Sequence, residues 1–172
     1  ALTPSMTVIA DGERPVGVAG VMGGADAEVS ATTTDIVLEC ASFQPKAVRA
    51  TRVALKLSTE ASYRYERGID TQNMAQALRR AVALIIGVAG GSADEAPIDL
   101  CPETPTAPTV FLRPERVAHV LGVPVPRAEI ERLLGGVGFT VAPKDDRLAV
   151  QVPGWRPDVV AEVDLIEEIA RL

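Results

Sequence analysis

Carboxylates and glycines, not histidines or thiols, carry the chemical possibilities of this sequence. Gly17, Gly20, Gly23 and Gly24 crowd residues 16–24, directly after a strand-like run. Without side chains they let a backbone turn tightly or approach a ligand closely. The spacing matches neither a dinucleotide fingerprint nor a phosphate loop, which would end in Gly-Lys-Ser/Thr. A tight sheet corner and a ligand cradle both stay open. Glu39 stands in the apolar run 36–41, alternating with Leu38 and Cys40, so it faces either solvent or a pocket opposite to theirs. Residues 57–70 mix hydroxyls, charges, Tyr63 and Tyr65 ahead of a helical pattern, as a binding loop or a salt-bridged loop would. Near the end, Asp164, Glu167 and Glu168 fall at i, i+3 and i+4, within about a 100° arc of one helix, and Asp158 precedes them. Oxygen ligands at that density suit Mg²⁺, while Arg171 in the same arc equally suits a solvated acidic face. His119 is the single histidine and lies in the second half. A Ser-His-Asp or Cys-His mechanism therefore lacks its base in the first half, and a zinc site lacks ligands. Any hydrolysis there must position water with Glu, Thr or backbone groups.

Composition narrows the classes further. Of 172 residues, 47% are apolar and only one Trp, two Tyr and three Phe are aromatic, so a core must be built from aliphatic side chains. The net charge of −6 argues against a general nucleic-acid binder and leaves room only for local RNA contacts. No apolar run reaches the roughly 18 residues of a membrane span, and no basic-then-apolar start marks a secretory signal. Cys40 and Cys101 have no metal-ligand spacing, which points to a reducing compartment, the cytoplasm. The chain opens without Met and stops inside a helical pattern, as an excised piece would.

These residues need elements to hold them. Residues 7–10 and 15–21 read as strands joined through Asp11-Gly12, and 35–41 as a buried strand. Residues 45–57 read as a helix with Pro45 in its first turn, placing Lys46, Arg49, Arg52 and Lys56 along one face. Residues 70–89 give the clearest helix: Met74, Ala77, Leu78, Ala81, Val82, Ile85 and Val88 trace a stripe expected to be core, with Asp70 or Thr71 as cap and Gly90-Gly91 as stop. Pro97, Pro102, Pro105 and Pro108 then mark a boundary. After it come a strand (109–112), helices (114–121 and 126–134), a hairpin (139–142 with 148–152) and a last helix from 159 capped by Asp158. The expected organisation is α+β: a mixed α/β domain over 1–92, a Pro-rich linker over 93–108, and a small winged-helix-like α+β module over 109–172.

Four blocks, in order, resemble the beta-subunit family of bacterial phenylalanyl-tRNA synthetases. Residues 19–24 are similar to that family's editing-domain glycine motif and 37–41 to its pocket strand. Residues 57–70 are similar to its TEAS-RFERG-D segment, and 152–158 with 164–171 to its closing block around Trp155-Arg156 and Glu167-Glu168. The resemblance covers essentially the whole chain. It implies a B3/B4-like editing domain followed by a B5-like module. It also implies hydrolysis of tyrosine wrongly attached to the phenylalanine tRNA, in a pocket that includes Gly23, Glu39, Thr59 and Ala61, with Glu39 receiving the tyrosine hydroxyl. By the same resemblance Asp158, Asp164, Glu167 and Glu168 bind Mg²⁺ shared with the alpha subunit, in a heterotetramer of two alpha and two beta chains. ATP-dependent aminoacylation belongs to the alpha subunit. Where the family shows a run like RRxGLRT, residues 53–59 of this chain lack both arginines and the glycine. Two other classes compete with this reading: a winged-helix-like nucleic-acid or protein-binding module, and a free-standing aminoacyl-tRNA deacylase.

Overall fold

The computed structural model describes residues 1–94, 96–101 and 106–172, and the chain divides into two compact units, Ala1–Asp99 and Leu100–Leu172. Both combine helices with antiparallel sheet, the α+β class expected from the element order. Pro102 and Pro105 of the expected linker lie outside the described residues. Among the described residues no helix is long and apolar enough to cross a membrane.

In the first unit β1 (Val8–Ala10), β2 (Pro15–Val18) and β3 (Met22–Gly23) form a three-stranded meander in that order. Asp11 makes the first turn: its Oδ1 accepts the backbone N–H of Glu13 and of Arg14, both at 2.8 Å, which is the local bonding that favours Asp in turns. Helix α1 (Pro45–Leu55) begins on its proline and stops where Lys56 takes φ 54°. A short α2 (Glu60–Tyr65) and a long α3 (Met74–Ala89) follow, and Gly90 at φ 76° ends α3.

Three expectations for this unit are corrected. Residues 35–41 form no strand, and Val37 is 100% exposed. An extended segment becomes a strand only when a neighbour takes its N–H and C=O groups, and among the described residues none lies alongside. Helix α3 starts at Met74 and not at 70, because Asp70 Oδ1 accepts the Gln72 N–H at 3.1 Å. Such a side-chain turn competes with the first helical turn. The α3 stripe is not a core either: Met74, Leu78, Ala81, Val82 and Ile85 are half-buried, while Ala77 and Val88 are exposed. Periodicity says that one face seeks cover; it cannot say what supplies it.

The second unit follows its sequence closely. β4 (Thr109–Leu112), β5 (Thr140–Lys144) and β6 (Arg147–Gln151) form an antiparallel sheet in the order β4-β6-β5. Val110 and Leu112 alternate inward on β4, as Leu148 and Val150 do on β6. The β5–β6 hairpin turns at Asp145-Asp146, with Asp145 at φ 55°, a conformation Asp tolerates better than most residues. Helices α4 (Pro114–Leu121), α5 (Arg127–Gly136) and α6 (Glu162–Arg171) cover the sheet. Pro126 precedes α5 as its cap, and the helix runs through Gly135-Gly136 instead of stopping before them. The core gathers Leu112, Val117, Ile130, Leu134, Leu148 and Leu165 with Val150, Val152 and Phe139 around them.

Candidate functional site

The glycine run of the first unit is a sheet corner built to tight tolerances. Between β2 and β3 the chain turns through Ala19, Gly20 and Val21, with the Val21 N–H donating to Val18 O at 2.9 Å. Gly20 sits at φ 67°, and a Cβ there would stand 3.1 Å from the Phe43 and Val48 side chains and 3.2 Å from Tyr65. A side chain at Gly24 would meet the Val16 carbonyl at 2.7 Å. Both positions therefore require glycine, the first for conformation and space, the second for space alone. The Phe43 and Tyr65 rings that pack over the corner lie 5.2 Å apart, tilted by 51°.

Helix α2 is fastened to this corner through its cap. Thr59 Oγ1 donates to the Val21 carbonyl at 2.6 Å and accepts the Ser62 N–H at 3.0 Å, while Ser62 Oγ accepts the Thr59 N–H at 2.9 Å. This reciprocal box satisfies the first turn of a helix too short to hold itself together. At the other end of α2, Arg52 Nε donates to Glu66 Oε2 at 2.7 Å and binds α2 to α1. That hydrogen bond, with the Arg67 and Arg49 charges, holds the Glu66 carboxyl below its ordinary range.

Of the expected pocket residues, Gly23 lines a shallow cleft of about 220 Å³ with Leu2, Pro15, Met22 and Leu57. Thr59, bonded to the Val21 carbonyl, lines neither this cleft nor the second. Its hydroxyl is used twice, as donor and acceptor, so what it offers is position. Ala61 is exposed one turn into α2, and Glu39 is exposed on the irregular segment. Neither lines this cleft or the second one, of about 270 Å³, bounded by Thr7, Phe43, Gln44 and Thr51. Glu39 is nevertheless close enough to act on Tyr65: partial burial, then the Glu39 carboxylate and Cys40, push the Tyr65 phenol up.

The acidic residues of the second unit are spoken for by the chain itself. Arg156 Nε and Nη2 donate to Asp158 at 3.0 and 2.7 Å, and Arg156 Nη1 and Nη2 donate to the two Glu168 oxygens at 2.9 Å each. Arg171 Nη1 adds a bond to Glu168 Oε1 at 3.1 Å. Hydrogen bonds from Arg156 hold Asp158 and Glu168 below the usual carboxylate range and raise the guanidinium further. Asp164 Oδ2 instead accepts the N–H groups of Val160 and Ala161 at 2.9 and 2.8 Å. It, and not Asp158, stabilises the start of α6. Glu167 is exposed. Among the described residues no three His, Cys, Asp or Glu side chains converge to hold a metal. In this arrangement the four carboxylates do not fit a shared Mg²⁺, because a guanidinium already joins two of them and amides take a third. Sequence reasoning placed Arg156 in the closing block but missed that it pairs with Asp158 and Glu168.

Residues 1–90 match the B3/4 domain family, and residues 110–172 match the tRNA synthetase B5 domain. The chain is 50% identical over 165 residues to the phenylalanine–tRNA ligase beta subunit of Salinibacter ruber, covering 96% of this chain and 20% of that protein. To the protein of the same name from Rhodopirellula baltica it is 47% identical over 171 residues, covering 99% of this chain and 25% of that one. The chain thus spans about a fifth to a quarter of the length of these curated relatives.

Proposed function

The chain belongs to the phenylalanine–tRNA ligase beta-subunit family, and from that premise we propose that its first unit edits. In this reading the B3/4 unit hydrolyses tyrosine wrongly attached to the phenylalanine tRNA, within a cytoplasmic ligase of two alpha and two beta chains. Aminoacylation with ATP belongs to the alpha subunit. The observation that carries the reading is the fastening of α2 to the glycine corner, Thr59 Oγ1 to Val21 O at 2.6 Å. It holds residues 21–24 open as a backbone edge beside a cleft, with no side chain at Gly23 or Gly24 to obstruct an aminoacyl end. Gly23 and the Val21-bonded Thr59 belong to that edge, and by the resemblance Ala61 and Glu39 complete the pocket, with Glu39 accepting the hydroxyl that separates tyrosine from phenylalanine.

Physical economy favours such a site. A synthetic pocket made for phenylalanine rejects an added hydroxyl only weakly, so a second site that recognises the hydroxyl is needed. A phenol-to-carboxylate bond contributes roughly 1.5–3 kcal/mol, or about 10- to 150-fold in discrimination. Residues 93–108 join this unit to the B5 unit over 109–172. For the assembled ligase, the Mg²⁺ implied by the resemblance belongs at Asp158, Asp164, Glu167 and Glu168 only if Arg156 turns away from them.

The test is made on the full ligase. Wild-type enzyme should deacylate tyrosyl-tRNA and spare phenylalanyl-tRNA, and Glu39→Ala should lose about 10- to 150-fold of that preference with phenylalanine charging intact. Unchanged tyrosine removal by a stably folded Glu39→Ala enzyme removes Glu39 from the site. Wild-type enzyme without tyrosyl-tRNA deacylation removes editing itself.

A further inference from the structure

Charge in this chain is unevenly placed. Residues 45–67 carry six Lys and Arg against two Glu, a net of +4, whereas the remaining residues sum to −10. Within the positive stretch Lys46, Arg49 and Lys56 are exposed, and no side-chain hydrogen bond or ion pair engages them among the described residues. Arg52 and Arg67 both bind Glu66, at 2.7 and 3.1 Å, and Arg49 acts on the same carboxylate. One carboxylate thus anchors the junction of α1 and α2 and leaves a surplus of positive charge around it. The Arg67 guanidinium also lies 3.7 Å from the centroid of the Tyr63 ring, which is 57% exposed.

We propose that this α1–α2 surface is the docking strip for the single-stranded end of an RNA, with Lys46, Arg49 and Lys56 on phosphates and Tyr63 stacking a base. The proposal rests on the editing reading and names how its substrate is held. Charge complementarity selects a polyanion. The exposed tyrosine, with one face backed by a guanidinium, selects bases over an acidic peptide, because stacking on aromatic and guanidinium planes is how unpaired nucleotides are recognised. Position supports the same occupant. Helix α2 spans six residues, about 9 Å, with its cap bonded to Val21 beside the glycine edge and its far end in the strip. A strand held on the strip therefore has its terminus within reach of the cleft lined by Gly23.

The experiment measures binding of uncharged phenylalanine tRNA to the full ligase as a function of KCl. Each phosphate contact to a single strand contributes about 0.7 to the slope of log affinity against log salt. The triple variant Lys46→Gln, Arg49→Gln, Lys56→Gln should lower that slope by about 2, so that wild type loses roughly 20-fold more affinity than the variant between 50 and 200 mM. Its thermal midpoint should not move. Tyr63→Ala should weaken binding by about 5- to 150-fold with the slope preserved, and Tyr63→Phe should bind as wild type. An unchanged slope in the folded triple variant overturns the strip. So does polyglutamate that competes with tRNA as well as an RNA of equal charge. Loss of tyrosyl-tRNA deacylation in wild type would sink the editing reading, while the salt slope still decides the strip.

Discussion

In the Leu100–Leu172 unit the sheet and helices close on one apolar core, and in the Ala1–Asp99 unit the long helix α3 and residues 36–38 stay largely uncovered. Leu112, Val117, Ile130, Leu134, Leu148 and Leu165 are each 0% exposed. Among the described residues of the first unit the buried ones are few and small: Ala19, Val21, Val48, Thr51 and Ser62. Its longest helix contributes none. What holds the first unit is instead directional: the Thr59–Ser62 box, the Thr59–Val21 bond, the Arg52–Glu66 pair and glycines fitted under aromatic rings. A packed core tolerates an approximate partner anywhere on its surface; fastenings of this kind fix one corner accurately and leave the rest loosely covered. Accuracy at a corner is what a site needs, and burial is what a structural module needs.

The largest test of that contrast is a pair of equal truncations. Leu134→Ala should destabilise the second unit by about 2–5 kcal/mol, the range for a filled site that cannot collapse. Leu78→Ala on half-buried α3 should cost about 1 kcal/mol, since little apolar area is withdrawn from water there. Urea unfolding followed through Trp155, the sole tryptophan, and peptide-resolved hydrogen exchange report the two units separately. Equal costs would erase the distinction.

An intermediate effect is expected at Arg156, where the second unit also depends on directional bonds. Arg156→Met leaves Glu168, 7% exposed, with Arg171 as its remaining partner, and should destabilise that unit by roughly 1–3 kcal/mol. The same variant should change its response to acid. Asp158 and Glu168 are held below their ordinary range by Arg156, so their contribution is complete above the usual carboxylate range and disappears as pH falls through the lowered values. Thermal midpoints from pH 7 down to 2 should fall steeply in wild type and more gently in Arg156→Met. Parallel curves would mean that Arg156 is a spectator.

The smallest effect sharpens the comparison from the other side. Thr59→Ala should cost about 1 kcal/mol as a lost helix cap, yet raise amide exchange in both α2 and residues 20–24, while Thr59→Ser should restore both. Faster exchange in α2 alone would mean that the Val21 bond does not tie the two together.

How much of this was legible depended on the range of the interaction. Alternation placed β4 and β6 correctly, because one residue's neighbours two positions away share its face whatever the rest of the chain does. The stop of α3 at Gly90 was equally local. Among the site residues, the glycine run declared its corner. The Asp158–Arg156–Glu168 chain did not declare itself, since it joins a loop to a helix turn across 12 positions. Residues 35–41 misled for a related reason: an apolar, β-branched run announces a wish for a sheet, and the neighbouring strand that would grant it is not encoded in the run. Glu39 was singled out in sequence by its apolar company, and of that company Ile36, Val37 and Leu38 are exposed.

That exposure gives Asp35 and Glu39 a second office. Between them lie Ile36, Val37 and Leu38, an unpaired segment rich in β-branched side chains, the composition from which intermolecular strands are made. A carboxylate at each end is the usual gatekeeper against such growth. Removal of both charges is therefore expected to lower colloidal solubility, quite apart from any role of Glu39 toward a tyrosine hydroxyl. A preparation of Asp35→Asn, Glu39→Gln should deposit fibrillar or amorphous material at concentrations where the parent chain stays clear. For the same reason Glu39→Asp, which keeps the guard while shortening the reach, separates the two duties more cleanly than alanine does.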